Sequence, residues 1–72
     1  MLFIFMAILP ISAVERLIRS VGAERVSKSA AEALAEILER KGSEISTMAI
    51  RLAKHAGRKT ITDEDIKLAT KD

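Results

Sequence analysis

The chain has 72 residues, 49% hydrophobic and 31% charged, with 12 Lys and Arg against 10 Asp and Glu, a single His, and no Cys, Trp or Tyr. That inventory excludes disulfide staples and thiolate metal sites and leaves too few nucleophiles and bases for a catalytic constellation, so no enzyme, cofactor or metal is expected. A chain this short buries only about 60% of the surface its unfolded form exposes, which makes a lone core marginal and association with a second chain the expected remedy.

The net charge of +2 is small, but its distribution is not even. Residues 10–28 carry +2, residues 29–44 carry −2, residues 45–60 carry +4 with no acid among them, and residues 61–72 carry −2. Segregated cations of this kind point to an anionic partner.

The chain opens on MLFIFMAILPI, an uninterrupted apolar run that holds both phenylalanines of the sequence. It is too short to span a bilayer and lacks the cationic leader and small-residue cleavage site of a signal peptide. Residues 1–8 are therefore read as an apolar N-terminal extension and residues 9–72 as the domain. Met6 offers a second start, so residues 1–5 are either an extension with no selected role or a cover for an apolar groove or for another chain.

A first helix is expected to start at Pro10, because proline is tolerated in a first turn. Ile11, Val14, Leu17, Ile18 and Val21 fall on one helical face, and Gly22 is placed to end it. A second helix is expected over residues 28–56, with Ser27 as N-cap and Gly57 as the stop. Along it Leu34, Ile37, Leu38, Ile45, Met48, Ala49, Leu52, Ala53 and Ala56 form a stripe. A helix of that length spans roughly 43 Å, whereas a compact globule of this size has a radius of gyration near ~11 Å. The stripe is too long for its own flanking helices to cover, so Leu34, Ile37, Leu38, Ile45, Met48 and Leu52 are expected to form a dimer core.

Gly42, at the middle of that helix, is expected where two copies cross. Lys41 lies nearer the stripe centre, with its stem on apolar surface and its ammonium in water. A short third helix is expected after Thr62, where TDED places Asp65 three residues beyond a threonine cap and puts acids at the positive helix end.

Two joints echo each other: VGAERVS over residues 21–27 and AGRKTIT over residues 56–62. Each reads as a small or apolar residue, glycine, three polar or small residues, a β-branched residue and a hydroxyl cap. Val26 and Ile61 are the expected hearts of two very short strands. If two long helices cross head to tail, one chain's second joint lies beside its partner's first. The two strands then pair, and Arg25 and Lys28 meet Arg58 and Lys59 at both ends of a two-fold dimer.

This organisation, with LPI, GAERVS, LAEILE and LAKHAGRKTITDEDIKLA in that order, closely resembles the archaeal histones from Leu9 to Ala69. The resemblance implies an all-α histone fold, a short helix, a long central helix and a short helix, forming an intertwined handshake dimer. It also implies binding, wrapping and compaction of double-stranded DNA without sequence preference, in the cytoplasm on the chromosome. By the same resemblance Arg16, Arg19 and Lys59 meet phosphate, and Arg25 enters the minor groove, hydrogen-bonded by the partner's Thr60. Arg58 and Asp65 form a structural clamp, while Leu52, His55 and Asp65 form a dimer–dimer contact that builds tetramers or longer stacks on DNA. The partner is a second copy or a related histone.

Two other readings compete. A histone-fold subunit of a transcription assembly that does not wrap DNA would share the fold but fail to shift random duplex at low salt. A membrane-active peptide led by LFIF would sediment with liposomes only when residues 1–5 are present.

Overall fold

A computed structural model describes residues 8–71. They form three helices, α1 (Ile11–Ser20), α2 (Lys28–His55) and α3 (Asp63–Ala69), with no strand among the described residues. This is the all-α short, long, short order expected from the sequence, with α2 ending one residue sooner than anticipated. The segments around Val26 and Ile61 are irregular in the single chain. Residues 1–5 lie outside the described residues.

The helix ends follow from local chemistry. Gly22 and Gly57 both take positive φ, 119° and 74°, a region in which a side chain would be strained. At Gly57 the stop is a full Schellman motif: Arg58 N–H donates to the Ala53 carbonyl at 2.9 Å and Gly57 N–H to the Lys54 carbonyl at 2.9 Å. The Ser27 hydroxyl accepts from Ala30 N–H at 3.1 Å and so caps α2. At Thr62 both halves of a capping box are present, with Asp65 N–H donating to the hydroxyl at 3.3 Å and Thr62 N–H to the Asp65 carboxylate at 2.8 Å.

The chain divides into two compact units, Met1–Arg40 and Lys41–Asp72, with α2 running through both. In the first, Val14, Ala31 and Ala35 are buried, and Leu9, Ile11, Ile18, Val26 and Leu34 pack around them. In the second, the buried apolar residues are Ala49 and Ala53. No large side chain is fully buried among the described residues.

The single stripe read along α2 is thus two adjacent faces. Ala31, Ala35, Ala49 and Ala53 are buried within the chain, because small residues let another segment approach the helix backbone closely. Leu34, Leu38, Ile45 and Leu52 are half-buried, and Ile37 and Met48 are exposed at 56% and 42%. Ala56, assigned to the stripe from its spacing, lies beyond the helix end and is exposed. Ile50 on the same helix is exposed as well, and at about 25 cal/mol per Å² such apolar surface is worth covering.

Glu39 is a feature that the sequence did not announce. It is only 7% exposed, and its Oε2 accepts from the backbone N–H groups of Ile8 at 3.1 Å and Leu9 at 2.8 Å. It anchors the segment leading into α1. Its other oxygen, Oε1, is buried without a hydrogen-bond partner among the described residues. A signal was present in the spacing: Glu39 follows Ala31 and Ala35 at intervals of four, which puts an acid on the buried face of α2.

Candidate nucleic-acid interface

Arg16 and Arg19 stand three apart on α1, so they share one face of that helix, and both are exposed. Arg25 is exposed in the joint between α1 and α2. Lys59 and Thr60 are exposed in the joint between α2 and α3. None of these four cations enters an ion pair among the described residues. The first turn of α1 carries no acid, and its N-cap Pro10 makes no side-chain cap, so its leading N–H groups lack the carboxylate company that Asp63, Glu64 and Asp65 give α3.

Arg58, close in sequence to Lys59, is engaged differently. Its Nη1 donates to Asp65 Oδ2 at 3.0 Å and its Nη2 to Asp65 Oδ1 at 2.9 Å, a bidentate pair. Nη1 also donates to the Thr60 carbonyl at 2.9 Å, which fastens the bend that presents Lys59 and Thr60. Asp65 is 3% exposed, and Oδ2 additionally accepts the Thr62 N–H. One carboxylate therefore caps α3, ties down the joint and neutralises Arg58. The first joint has no such device: where the second has Arg58 and Asp65, the echo has Ala23 and Ala30.

These contacts set the titration of the site. The hydrogen bonds from Arg58, followed by the one from the Thr62 amide, hold the Asp65 carboxyl far below its ordinary value of 3.8. The same hydrogen bonds to Asp65 raise the Arg58 guanidinium above its ordinary value. A carboxylate whose pKa is depressed on folding adds stability above its unfolded pKa and loses it as pH falls through the folded one. The wild-type chain should therefore lose thermal stability relative to Asp65→Asn as pH drops below about 4, whereas at neutral pH the wild type is the more stable. Thermal unfolding followed by circular dichroism from neutral to acid pH checks this, since the remaining carboxylates titrate in both proteins. A constant difference between the two across that range would remove the clamp's role in acid stability.

His55 is exposed in the last turn of α2, and Leu52 is half-buried one turn before it. Asp65 stands apart from them in accessibility, since its side chain is buried in the clamp. Its Oδ1 nevertheless accepts only one of the two hydrogen bonds that a carboxylate oxygen can take.

Similarity to known proteins extends over nearly the whole chain. A family model described as "Histone-like transcription factor (CBF/NF-Y) and archaeal histone" matches residues 7–70. A component of the archaeal histone HAN1 of Thermococcus zilligii is 56% identical over 66 residues, covering 92% of this chain and 98% of the relative. "Probable archaeal histone 3" of Methanocaldococcus jannaschii is 45% identical over 64 residues, 89% of this chain and 96% of the relative.

Proposed function

As a member of the family that unites archaeal histones with histone-like CBF/NF-Y transcription factors, the chain is a histone-fold DNA-binding protein of archaeal chromatin, and we propose that it grips duplex DNA through Arg16, Arg19, Arg25, Lys59 and Thr60. The observation that carries this assignment is a contrast between one cation and four others. Arg58 is consumed by Asp65, whereas Arg16, Arg19, Arg25 and Lys59 stand in solvent without an acidic partner among the described residues. Cations displayed along a path, with few side chains suited to reading base edges, match a surface that follows phosphate and bends the duplex.

In the handshake dimer, which rests on family membership, Arg16, Arg19 and Lys59 meet phosphate. Arg25 enters the minor groove beside the partner's Thr60, and the N-termini of α1 add N–H donors to phosphate. Leu34, Ile37, Leu38, Ile45, Met48 and Leu52 form the dimer core. His55 meets Asp65 of another dimer, its imidazole N–H directed at the open lone pair of Oδ1, with Leu52 packing nearby, and this contact extends dimers into tetramers or stacks. The histone-fold domain covers residues 9–72, with residues 1–8 as an appendage, and the protein acts on the chromosome in the cytoplasm. Among the described residues no helix is long and apolar enough to cross a membrane.

Nuclease digestion of random duplex DNA across a range of protein concentrations tests the assignment. Protected lengths that grow in regular steps with concentration support wrapping and stacking, and digestion indistinguishable from naked DNA refutes it. Arg25→Ala should weaken the protection by roughly tenfold or more while leaving thermal unfolding unchanged, because the side chain is exposed and unpaired among the described residues.

A further inference from the structure

On the uncovered side of α2, Ile37, Lys41, Glu44 and Met48 recur at intervals of four, three and four, and all four are exposed. They form one row, apolar at both ends and charged in the middle. The row has an internal symmetry: Ile37 and Met48 share their midpoint with Lys41 and Glu44, between Gly42 and Ser43. The centre of α2 falls one residue earlier, between Lys41 and Gly42, with 14 residues on each side. Two copies of α2 crossing head to tail about that point therefore place Ile37 opposite the partner's Met48. The same rotation places Lys41 opposite the partner's Glu44, and Glu44 opposite the partner's Lys41. The two residues at the pivot are small, and a Cβ built on Gly42 meets nothing within 4 Å.

We propose that Lys41 and Glu44 are a self-complementary charge pair at the centre of the dimer seam, which selects a second copy of this chain over a histone-fold chain lacking the pair. The proposal rests on the dimer reading above and deepens it by naming the partner. Within one chain the two groups stand 4.0 Å apart with side chains 71% and 63% exposed, an arrangement of little consequence in water. The partner's approach changes that, because Leu34, Leu38, Ile45 and Leu52 beside the row exclude solvent and a charge deprived of water needs an opposite charge. A second copy supplies two reciprocal pairs. A partner with apolar residues at these places would leave Lys41 and Glu44 in the seam with only each other, and a partner with reversed charges would oppose like with like. Polar groups set into an apolar helix seam fix register and partner choice in this manner.

The test uses the full chain and three variants: Lys41→Glu, Glu44→Lys and the double exchange. Dimer dissociation is measured by sedimentation equilibrium, and partner choice by native mass spectrometry of mixtures in which one chain is isotopically labelled. Each single variant should dimerise at least ~10-fold more weakly than the parent. Mixed together, the two single variants should form heterodimer well beyond the statistical half, and the double exchange should return to parental affinity. Rescue of one variant by the other separates lost charge pairing from simple misfolding. Statistical mixing of single variants that dimerise as tightly as the parent would overturn the proposal, as would a double exchange weaker than either single variant. If the parent dimerises and protects DNA while the variants behave alike, this inference fails and the proposed function stands. If the parent remains monomeric at every concentration, both fail.

Discussion

Arg58→Ala should lower the melting temperature by roughly 10 °C or more, the largest stability effect expected of any surface cation in the chain. The expectation rests on what the substitution leaves behind. Asp65 is 3% exposed, and without the guanidinium its buried carboxylate keeps only the Thr62 amide as a hydrogen-bond donor. Removing one member of a buried pair is costly because the other stays charged out of water, an asymmetry absent from exposed pairs such as Lys67 with Asp63. Arg58 itself is half-exposed, which moderates the loss without abolishing it. Arg58→Lys should recover little, since an ammonium cannot reproduce two parallel N–H donors to one carboxylate. Circular dichroism melts of the three proteins at neutral pH decide the matter, and an Arg58→Ala melt matching the parent would mean that the clamp is dispensable. Below its lowered melting temperature the variant should still bind DNA, because the Arg58 guanidinium is taken up by Asp65 and the Thr60 carbonyl, not held out to phosphate.

The second large effect is on binding. A dimer that directs two copies each of Arg16, Arg19 and Lys59 at phosphate displaces counterions from about six sites. Its affinity for duplex DNA should then fall by about 10³-fold between about 50 and about 200 mM salt. Unrelated duplexes of equal length should give similar slopes, since phosphate contacts carry no sequence information. Lys59→Ala removes two of the six contacts and should flatten the slope by about 2 in logarithmic units. Fluorescence anisotropy titrations at several salt concentrations supply the slope, and an affinity indifferent to salt would remove the electrostatic mechanism. Arg58→Ala, by contrast, should leave the slope nearly as it was.

Much of this molecule was legible along the chain because its punctuation is local. Gly22 and Gly57 stop helices at positive φ, and Ser27 and Thr62 restart them through contacts to the backbone three residues away. Such interactions involve neighbours in sequence, so residue order alone specifies them. The cations Arg16, Arg19, Arg25 and Lys59 were singled out by the family resemblance, and the structure leaves all four exposed. The pairing of Arg58 with Asp65 came from the family resemblance. Spacing alone does not determine which of two adjacent cations, Arg58 or Lys59, turns inward; the Schellman turn at Gly57 and the capping box at Thr62 accompany the inward turn of Arg58.

Sequence by itself therefore determined the helix order, the places where each helix begins and ends, and the family to which those joints belong. Only the tertiary structure decided how the apolar residues of α2 are shared out. It buried Ala31, Ala35, Ala49 and Ala53 within the chain and left the larger Ile37 and Met48 uncovered. It also buried Glu39 beneath the backbone of Ile8 and Leu9, about thirty positions away in sequence. The physical reason is range: caps and stops are satisfied within one helical turn, whereas burial depends on which distant segment arrives and how closely it can approach.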